Sequence, residues 1–203
     1  MGRDRRDRRR QRLTVTANQV RIIGGRHRGR RVRFAPGAGL RPTPDRVRET
    51  LFNWLQHEVP GARCLDLFAG SGALGLEALS RGAAHLLAVE RNRAAAERLR
   101  ENIALLHEQD NALVVQDDAL RLLKSTADRP YDLVFVDPPF AAGLLGDTCR
   151  LLEQHGWLSD AAIVYLEQDA KHPWPELPGN WTLHRQGVAG QSAQRLLRRS
   201  KPG

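Results

Sequence analysis

The sequence is poor in the residues that build disulfide networks, metal centres and membrane spans. It has two cysteines, Cys64 and Cys149, which are too few for a disulfide framework or a four-thiolate zinc site. Its seven histidines and two cysteines show no metal-ligand spacing, so we expect neither a metal nor redox chemistry. No apolar run approaches the ~18 residues of a membrane helix, and no secretory-type apolar stretch follows the first arginines. We therefore expect a soluble, cytoplasmic protein without a membrane partner.

Positive charge is concentrated at one end of the chain. Residues 1–33 contain 13 Arg and two Asp, a net +11, whereas the other 170 residues carry 19 basic and 21 acidic groups, a net −2. A basic arm on a nearly neutral body is typical of a protein that binds a polyanion, because neutralised phosphates release condensed counterions. Residues 1–12 lack the bulky apolar residues, apart from Met1, that a membrane-surface helix needs. The charge pattern favours nucleic acid over a membrane tether or a solubilising tail.

The length suffices for one hydrophobic core with short additions. Residues 1–12 are predicted to be a disordered Arg-rich arm, residues 13–60 a hairpin and helix extension, and residues 61–203 the larger domain. The extension is predicted to contain a β-hairpin with a basic turn at residues 26–31 and a helix that ends at Pro60-Gly61. Thr43 is the expected N-cap of that helix and Pro44 its first residue.

An α/β fold is predicted for the larger domain, because short apolar runs alternate with helical stretches. Parallel neighbours need crossovers, so this alternation indicates a seven-stranded, mostly parallel sheet wound on both faces in the Rossmann-like manner. The last two strands are expected to form an antiparallel pair around Gly187 and Gly190. The expected strands lie at 64–68, 86–90, 113–115, 133–137, 163–167, 181–185 and 194–199, and the helices at 74–81, 93–107, 118–124 and 144–155.

A glycine-rich turn, Gly70-x-Gly72-x-x-Gly75, follows the first of these strands. Such a turn lets the backbone approach a ligand, and Glu90 at the end of the next strand is placed to accept hydrogen bonds from both ribose hydroxyls. Asp66 would repel a pyrophosphate but can hold the ammonium of an amino acid. These residues favour S-adenosylmethionine over a dinucleotide. Asp118 is expected either to accept from the adenine amino group or to act only as a helix N-cap.

The sequence Asp137-Pro138-Pro139-Phe140 follows the fourth strand, where an open α/β sheet carries its ligand site. An exocyclic amino group of a base is a poor nucleophile, because its lone pair is delocalised into the ring. A carboxylate from Asp137 and a backbone carbonyl from Pro138 can orient that amine and favour charge development on its nitrogen. Phe140 offers a ring for stacking of an extruded base. The four residues therefore indicate methylation of an amino nitrogen.

With these motifs, the chain resembles the class I S-adenosylmethionine-dependent methyltransferases that act on amino nitrogens of nucleic-acid bases. The segments RIIGGRHRGR (21–30) and RPTPDRVRETLFN (41–53) make residues 19–199 similar to the bacterial enzymes that methylate N2 of a guanine in 16S ribosomal RNA. The resemblance implies guanine as the base and a partly assembled small ribosomal subunit as the partner. It implies base contacts from Asp137, Pro138 and Phe140, and cofactor contacts from Asp66, Phe68, Gly70, Gly72, Glu90 and Asp118.

The basic hairpin and helix are expected to engage RNA phosphates beside the target base. The predicted contacts are Arg26, Arg28, Arg30, Arg31, Arg41 and Arg46, together with Arg48. Arg46 and Arg48 could instead form a solvated helix face with Glu49. The Arg-rich arm departs from the usual pattern of the resembled enzymes, and we interpret it as accessory RNA affinity.

Two other functions fit the same residues. A DNA adenine or cytosine amino methyltransferase would use the same chemistry at residues 137–140, but 203 residues leave little room for a domain that reads DNA sequence. Structured RNA can be recognised by its shape and its unstacked bases. A basic RNA-binding module without catalysis would not bind S-adenosylmethionine. For the ribosomal RNA methyltransferase we expect a monomer.

Overall fold

The computed structural model describes residues 18–35, 43–140 and 143–201. Five helices and nine strands are formed there, and most bounds lie within two residues of those expected. The helices are α1 (Asp45–Trp54), α2 (Ala73–Ser80), α3 (Arg93–Leu105), α4 (Ala119–Leu123) and α5 (Leu145–Gln154). The strands are β1 (Gln19–Arg21), β2 (Arg31–Arg33), β3 (Arg63–Asp66), β4 (His85–Val89), β5 (Ala112–Val115), β6 (Tyr131–Val136), β7 (Leu158–Asp169), β8 (Trp181–Ala189) and β9 (Ser192–Arg199).

The main sheet has the strand order β5-β4-β3-β6-β7-β9-β8, and its first five strands are parallel. β9 pairs in antiparallel fashion with β7 and β8 with β9, which confirms the expected mixed sheet. From β3 the chain proceeds outward to β4 and β5 and then returns to place β6 on the other side of β3. This reversal of strand order creates a crevice at the carboxyl ends of β3 and β6, where ligands bind in open α/β sheets.

The terminal hairpin differs from the expectation at Gly187. This residue lies within β8, paired with Gln194, and only Gly190, with φ of +61°, belongs to the turn. A Cβ on Gly187 would lie 3.3 Å from the Trp54 ring. The glycine therefore serves packing of α1 against the sheet and not reversal of the chain.

The N-terminal extension packs into the core of the main sheet. Its strands β1 and β2 form the expected antiparallel hairpin. Val20 and Val32 of that hairpin share one apolar cluster with Phe52 of α1 and with Phe135 and Tyr165 of the sheet. Phe52 and Phe135 lie with their ring centroids 6.0 Å apart. The extension thus covers one face of the sheet beside the crevice.

Two expectations for α1 are wrong. Its N-cap is Pro44, with no side-chain cap, because the Thr43 hydroxyl is bonded to the carboxylate of Asp137 instead. The helix ends at Trp54, and residues 55–61 form turns in which Leu55 and Val59 are buried. The expected arm and the loop at residues 36–42 lie outside the described residues.

A buried carboxylate, Glu77, fastens the extension to α2. It accepts hydrogen bonds from the backbone amides of Ile23 and Gly24, both at 2.8 Å, and from Arg81 Nε at 2.7 Å. Arg48 Nη1 lies 3.5 Å from the same carboxylate. Glu77 is 0% exposed, so each of these donors depends on it in the absence of water.

Arg48 is therefore not an RNA ligand, and that prediction is wrong. Its side chain is 1% exposed and also donates to the carbonyl of Arg21 at 2.9 Å and to Asp45 Oδ1 at 2.6 Å. Neither a phosphate nor solvent reaches it, which also excludes the solvated-face alternative for this residue. Its guanidinium satisfies buried acceptors at the junction of β1, α1 and α2.

The hairpin turn is held by a second set of contacts. Gly25 has φ of +74°, and a Cβ there would lie 1.8 Å from the Ser80 carbonyl oxygen. His27 Nε2 and Arg26 Nη2 lie 2.5 Å and 2.7 Å from the carboxylate of Glu108, whose pKa is lowered chiefly by the His27 hydrogen bond against the effect of burial. The His27 side chain is thus largely buried.

Within the described ranges, no helix has the length and apolar character needed to cross a bilayer. The same residues contain no group of three or more His, Cys, Asp or Glu side chains that could hold a metal ion.

Candidate active site

The glycine-rich turn between β3 and α2 lies at the crevice. Gly70 and Gly72 have φ values of +50° and +77°, which L side chains rarely adopt. Gly72 also has no space for a side chain, because a Cβ there would lie 2.5 Å from Leu99 Cδ1. It is the N-cap of α2, and no capping side chain covers that end of the helix. The turn therefore lets a ligand approach the backbone closely.

Asp66, the last residue of β3, lies behind this turn. It is 2% exposed and accepts a hydrogen bond from the Gly75 amide at 3.1 Å. Burial raises its pKa to about 7, and the negative charge of Glu90 acts in the same direction, while hydrogen bonds from the Gly75 and Phe68 amides oppose the rise. A bound cation would stabilise the charged form of this carboxyl group.

Glu90, directly after β4, has a structural role that the sequence did not reveal. Its carboxylate accepts from the Gly70 amide at 2.8 Å and from the Asn92 amide at 2.6 Å. It therefore ties the glycine turn to the end of β4. Each carboxylate oxygen can accept a second hydrogen bond, so the contacts are compatible with the expected ribose contact.

Asp118 is the N-cap of α4 and accepts from the Arg121 amide at 3.1 Å. This is one of the two roles expected for it, and the adenine contact stays a prediction. The neighbouring Asp117 has a lowered pKa, principally because it accepts a hydrogen bond from the Arg121 side chain at 2.6 Å. Phe68 is partly exposed and packs against a second apolar cluster, which includes Val89, Leu123 and Val136.

Asp137 follows β6 at the crevice, as expected. The pKa of this carboxyl group is well above its usual value because of burial, with further contributions from the charges of Glu167 and Asp66, and the Thr43 hydrogen bond opposes the rise. The next residue, Pro138, is buried, whereas the Phe140 side chain is 38% exposed. Thr43 of the extension thus holds the Asp137 carboxylate, and the ring of Phe140, three residues later, is accessible to a ligand.

Glu167 is a site residue that the motifs did not identify. It lies near the end of β7, next to β6, and is 4% exposed. Its carboxylate accepts from the Tyr165 hydroxyl at 2.8 Å and from the Ser192 hydroxyl at 2.6 Å. In the sequence, Glu167 is a charged residue near the end of an otherwise apolar strand. The sequence did not show that this strand would pair with β6.

The described residues at the crevice are acidic. In the parts of the chain that the structure describes, none of Asp66, Asp137 and Glu167 forms an ion pair with Lys or Arg. Buried carboxylates without cations are costly and favour cationic or donor-rich ligands. This set of carboxylate acceptors suits the ammonium and sulfonium of S-adenosylmethionine and an amino group of a base, and it disfavours a diphosphate.

The arginines predicted to contact RNA fall into two groups. Arg26 is paired with Glu108, and Arg30 donates to the carbonyl of Leu105 at 3.1 Å. The guanidinium groups of three others are exposed and form no ion pair with described residues: Arg28, Arg31 and Arg46. Arg41 lies outside the described residues.

Comparisons with known proteins show which family and fold the chain shares. A family model described as conserved hypothetical protein 95 matches residues 20–198. Ribosomal RNA small subunit methyltransferase D of Escherichia coli K12 is 51% identical over 187 residues, 92% of this chain and 93% of the relative. The solved structure of yhhF from Escherichia coli is 52% identical, with a TM-score of 0.82 over 91% of this chain and 99% of that one. An RNA methyltransferase from Salinibacter ruber in complex with S-adenosyl-L-homocysteine has a TM-score of 0.61 at 16% identity, over 80% of this chain and 95% of that one, which shows the shared fold.

Proposed function

This chain belongs to the conserved hypothetical protein 95 family, and from that premise we propose that it transfers a methyl group from S-adenosylmethionine to N2 of a guanine in small-subunit ribosomal RNA. The name of the Escherichia coli relative supports the reaction and the RNA class. The identity of the base and of the nitrogen is the finer part of the proposal. It rests on the local chemistry of residues 137–140.

The observation that carries the proposal is the position of Asp137 at the crevice, beside Asp66 and Glu167 and without a cationic partner among the described residues. When bound, S-adenosylmethionine supplies a methyl carbon made electrophilic by its sulfonium. Asp137 and the Pro138 carbonyl would accept hydrogen bonds from the amine and aim its lone pair. As positive charge develops on that nitrogen, the Asp137 carboxylate stabilises it and can take up the released proton. Phe140 would stack on the base.

The cofactor contacts are part of the same proposal. Asp66 would hold the amino-acid end, directly or through water, and the backbone at Gly70 and Gly72 would pass close to it. Glu90 would accept from the ribose hydroxyls while it continues to tie the turn. Asp118 would accept from the adenine amino group with the oxygen that does not cap α4.

The RNA contacts rest on exposed positive charge. Arg28, Arg31 and Arg46 are available for phosphates, whereas Arg26 and Arg30 already have protein partners. We propose phosphate contacts mainly for the first three. A DNA methyltransferase and a non-catalytic RNA-binding module remain the competing functions, and the next experiment separates all three.

The protein and labelled S-adenosylmethionine are incubated in three separate reactions with small-subunit particles, with purified ribosomal RNA and with DNA. The modified base is then mapped in each product. We expect N2-methylguanine in RNA. In the Asp137→Asn variant turnover should fall by about 10²- to 10⁴-fold, because acid–base and orienting groups contribute on that scale. The dissociation constant for the cofactor should stay within about twofold.

Asp132→Asn is the matched control, because Asp132 lies on the same strand but is exposed and accepts only the Arg63 amide. It should retain turnover. Methylated DNA would refute the RNA proposal, and a failure to bind the cofactor would favour the non-catalytic module. Equal loss of turnover and cofactor affinity in Asp137→Asn would remove Asp137 from the reacting position.

A further inference from the structure

We propose that Glu167 recognises the target base as guanine by accepting a hydrogen bond from its N1–H, beside the N2 amine that Asp137 orients. This inference rests on the proposed function and deepens it, because it concerns the choice of base at the same site. Glu167 would be a specificity-determining residue, whereas Asp137 and Pro138 act on the reacting nitrogen.

The pairing of β6 and β7 places the two carboxylates side by side. The strands are parallel, with Phe135 opposite Tyr165 and Val136 opposite Leu166, so the next position brings Asp137 level with Glu167. Side chains alternate along a strand, and those at opposed positions of neighbouring strands share a face about 4.8 Å apart. Two residues earlier, on the same face, the side chains of the two strands are in contact, since the ring centroids of Phe135 and Tyr165 lie 6.3 Å apart.

Glu167 is held by one hydroxyl from its own strand and one from β9. The Tyr165 hydroxyl binds Oε2, and the Ser192 hydroxyl, carried by β9, binds Oε1. These two donors are neutral, and each carboxylate oxygen can accept one further hydrogen bond. Within the described chain no cation pairs with Glu167, and the Asp137 carboxylate is hydrogen-bonded to the Thr43 hydroxyl.

A purely structural role does not account for this arrangement. Burial raises the pKa of Glu167 against the effect of the Ser192 and Tyr165 hydrogen bonds, so the charged carboxylate is costly until a ligand donor stabilises it. The negative charge of Glu167 also raises the pKa of Asp137, so the two groups are close enough to interact strongly. A ligand that presents two adjacent hydrogen-bond donors would satisfy both carboxylates at once.

The Watson–Crick edge of guanine presents such a pair, N1–H and the N2 amine. Adenine presents an acceptor at N1, which a carboxylate repels, and cytosine presents an acceptor at N3. A second carboxylate beside Asp137 therefore selects guanine among the bases that carry an exocyclic amine. The same logic, donors read by carboxylates and acceptors by amides, governs direct readout of base edges.

The test compares a target RNA fragment carrying guanine with one carrying 2-aminopurine at the same position. 2-Aminopurine keeps the reacting N2 amine but has an acceptor at N1. We expect the wild-type protein to prefer guanine in kcat/KM by about tenfold or more, the scale on which one good base contact discriminates. In Glu167→Gln the amide can donate to N1 of 2-aminopurine, so the preference should shrink by about tenfold.

Asp169→Asn is the matched control, since Asp169 lies two residues further along β7 and accepts the Lys171 amide. It should keep the wild-type preference. The rate with 2-aminopurine must rise relative to guanine in Glu167→Gln, a change that loss of folded protein cannot produce.

Three outcomes separate the inference from the proposed function. Wild-type protein that methylates both substrates at rates within about twofold would overturn the role of Glu167, whatever the variant does. So would a wild-type preference that persists unchanged in Glu167→Gln. Absence of any N2-methylguanine with the guanine substrate would instead overturn the proposed function.

Discussion

The buried carboxylate of Glu77 is expected to be a principal stabilising group at the junction of the extension and the sheet domain. In Glu77→Gln the volume is kept, but the charge opposite Arg48 is lost and the new amide presents N–H groups to the donors of Ile23 and Gly24. Removing one partner of a buried ion pair costs about 3–5 kcal/mol. Backbone amides left without acceptors cost about 1–3 kcal/mol each, which overlaps with that figure.

We therefore expect Glu77→Gln to lower the free energy of unfolding by about 3–5 kcal/mol, a large part of the ~5–15 kcal/mol of an ordinary domain. Urea denaturation measures this value directly. Amide hydrogen exchange should show faster exchange at Ile23 and Gly24 than in the wild type, because these amides donate to Glu77.

Glu97→Gln is the control, because Glu97 is an exposed acid paired with Arg93 one turn away on α3. Exposed pairs contribute little, so its unfolding curve should match that of the wild type. If Glu77→Gln is no more destabilising than Glu97→Gln, the buried network does not hold the extension.

Three further results are expected. Gly25→Ala should destabilise the protein more than Gly29→Ala. Both glycines have positive φ, but only a Cβ at residue 25 would overlap a backbone oxygen, that of Ser80. Equal losses of unfolding free energy in urea denaturation would contradict this expectation. Asp66 has a pKa of about 7 in the folded protein against 3.8 ordinarily, so the folded protein binds more protons than the unfolded chain between these values. The free energy of unfolding should therefore fall as the pH rises from about 4 to 7, by up to about 1.4 kcal/mol per pH unit. In Asp66→Asn the free energy of unfolding should fall less steeply, and a slope equal to that of the wild type would refute the pKa shift. Glu90→Gln should weaken cofactor binding in calorimetry by loosening the glycine turn as well as the ribose contact, and an unchanged dissociation constant would exclude both roles.

The fold could be predicted from the sequence because its signals are local. The apolar run at residues 133–136 is long enough for a buried strand and too short for a helix, and the segments around it alternate in the same way. A carboxylate directly after such a strand must lie at its carboxyl end. Asp137 was therefore placed at the crevice without knowledge of its neighbours, as were Asp66 and Glu90.

The neighbours of these residues were decided by the tertiary structure. Glu167 lies beside Asp137 only because β7 pairs with β6, and Thr43 reaches the same carboxylate only because the extension packs over that face. Arg48 has the sequence context of an exposed helical arginine, yet the packing of β1, α1 and α2 buries it against Glu77. Strand pairing and burial depend on contacts between residues distant in the chain, and the free energy of those contacts is not encoded in any one segment. The sequence by itself thus determined which groups reach the crevice, and the assembled sheet determined which of them act together.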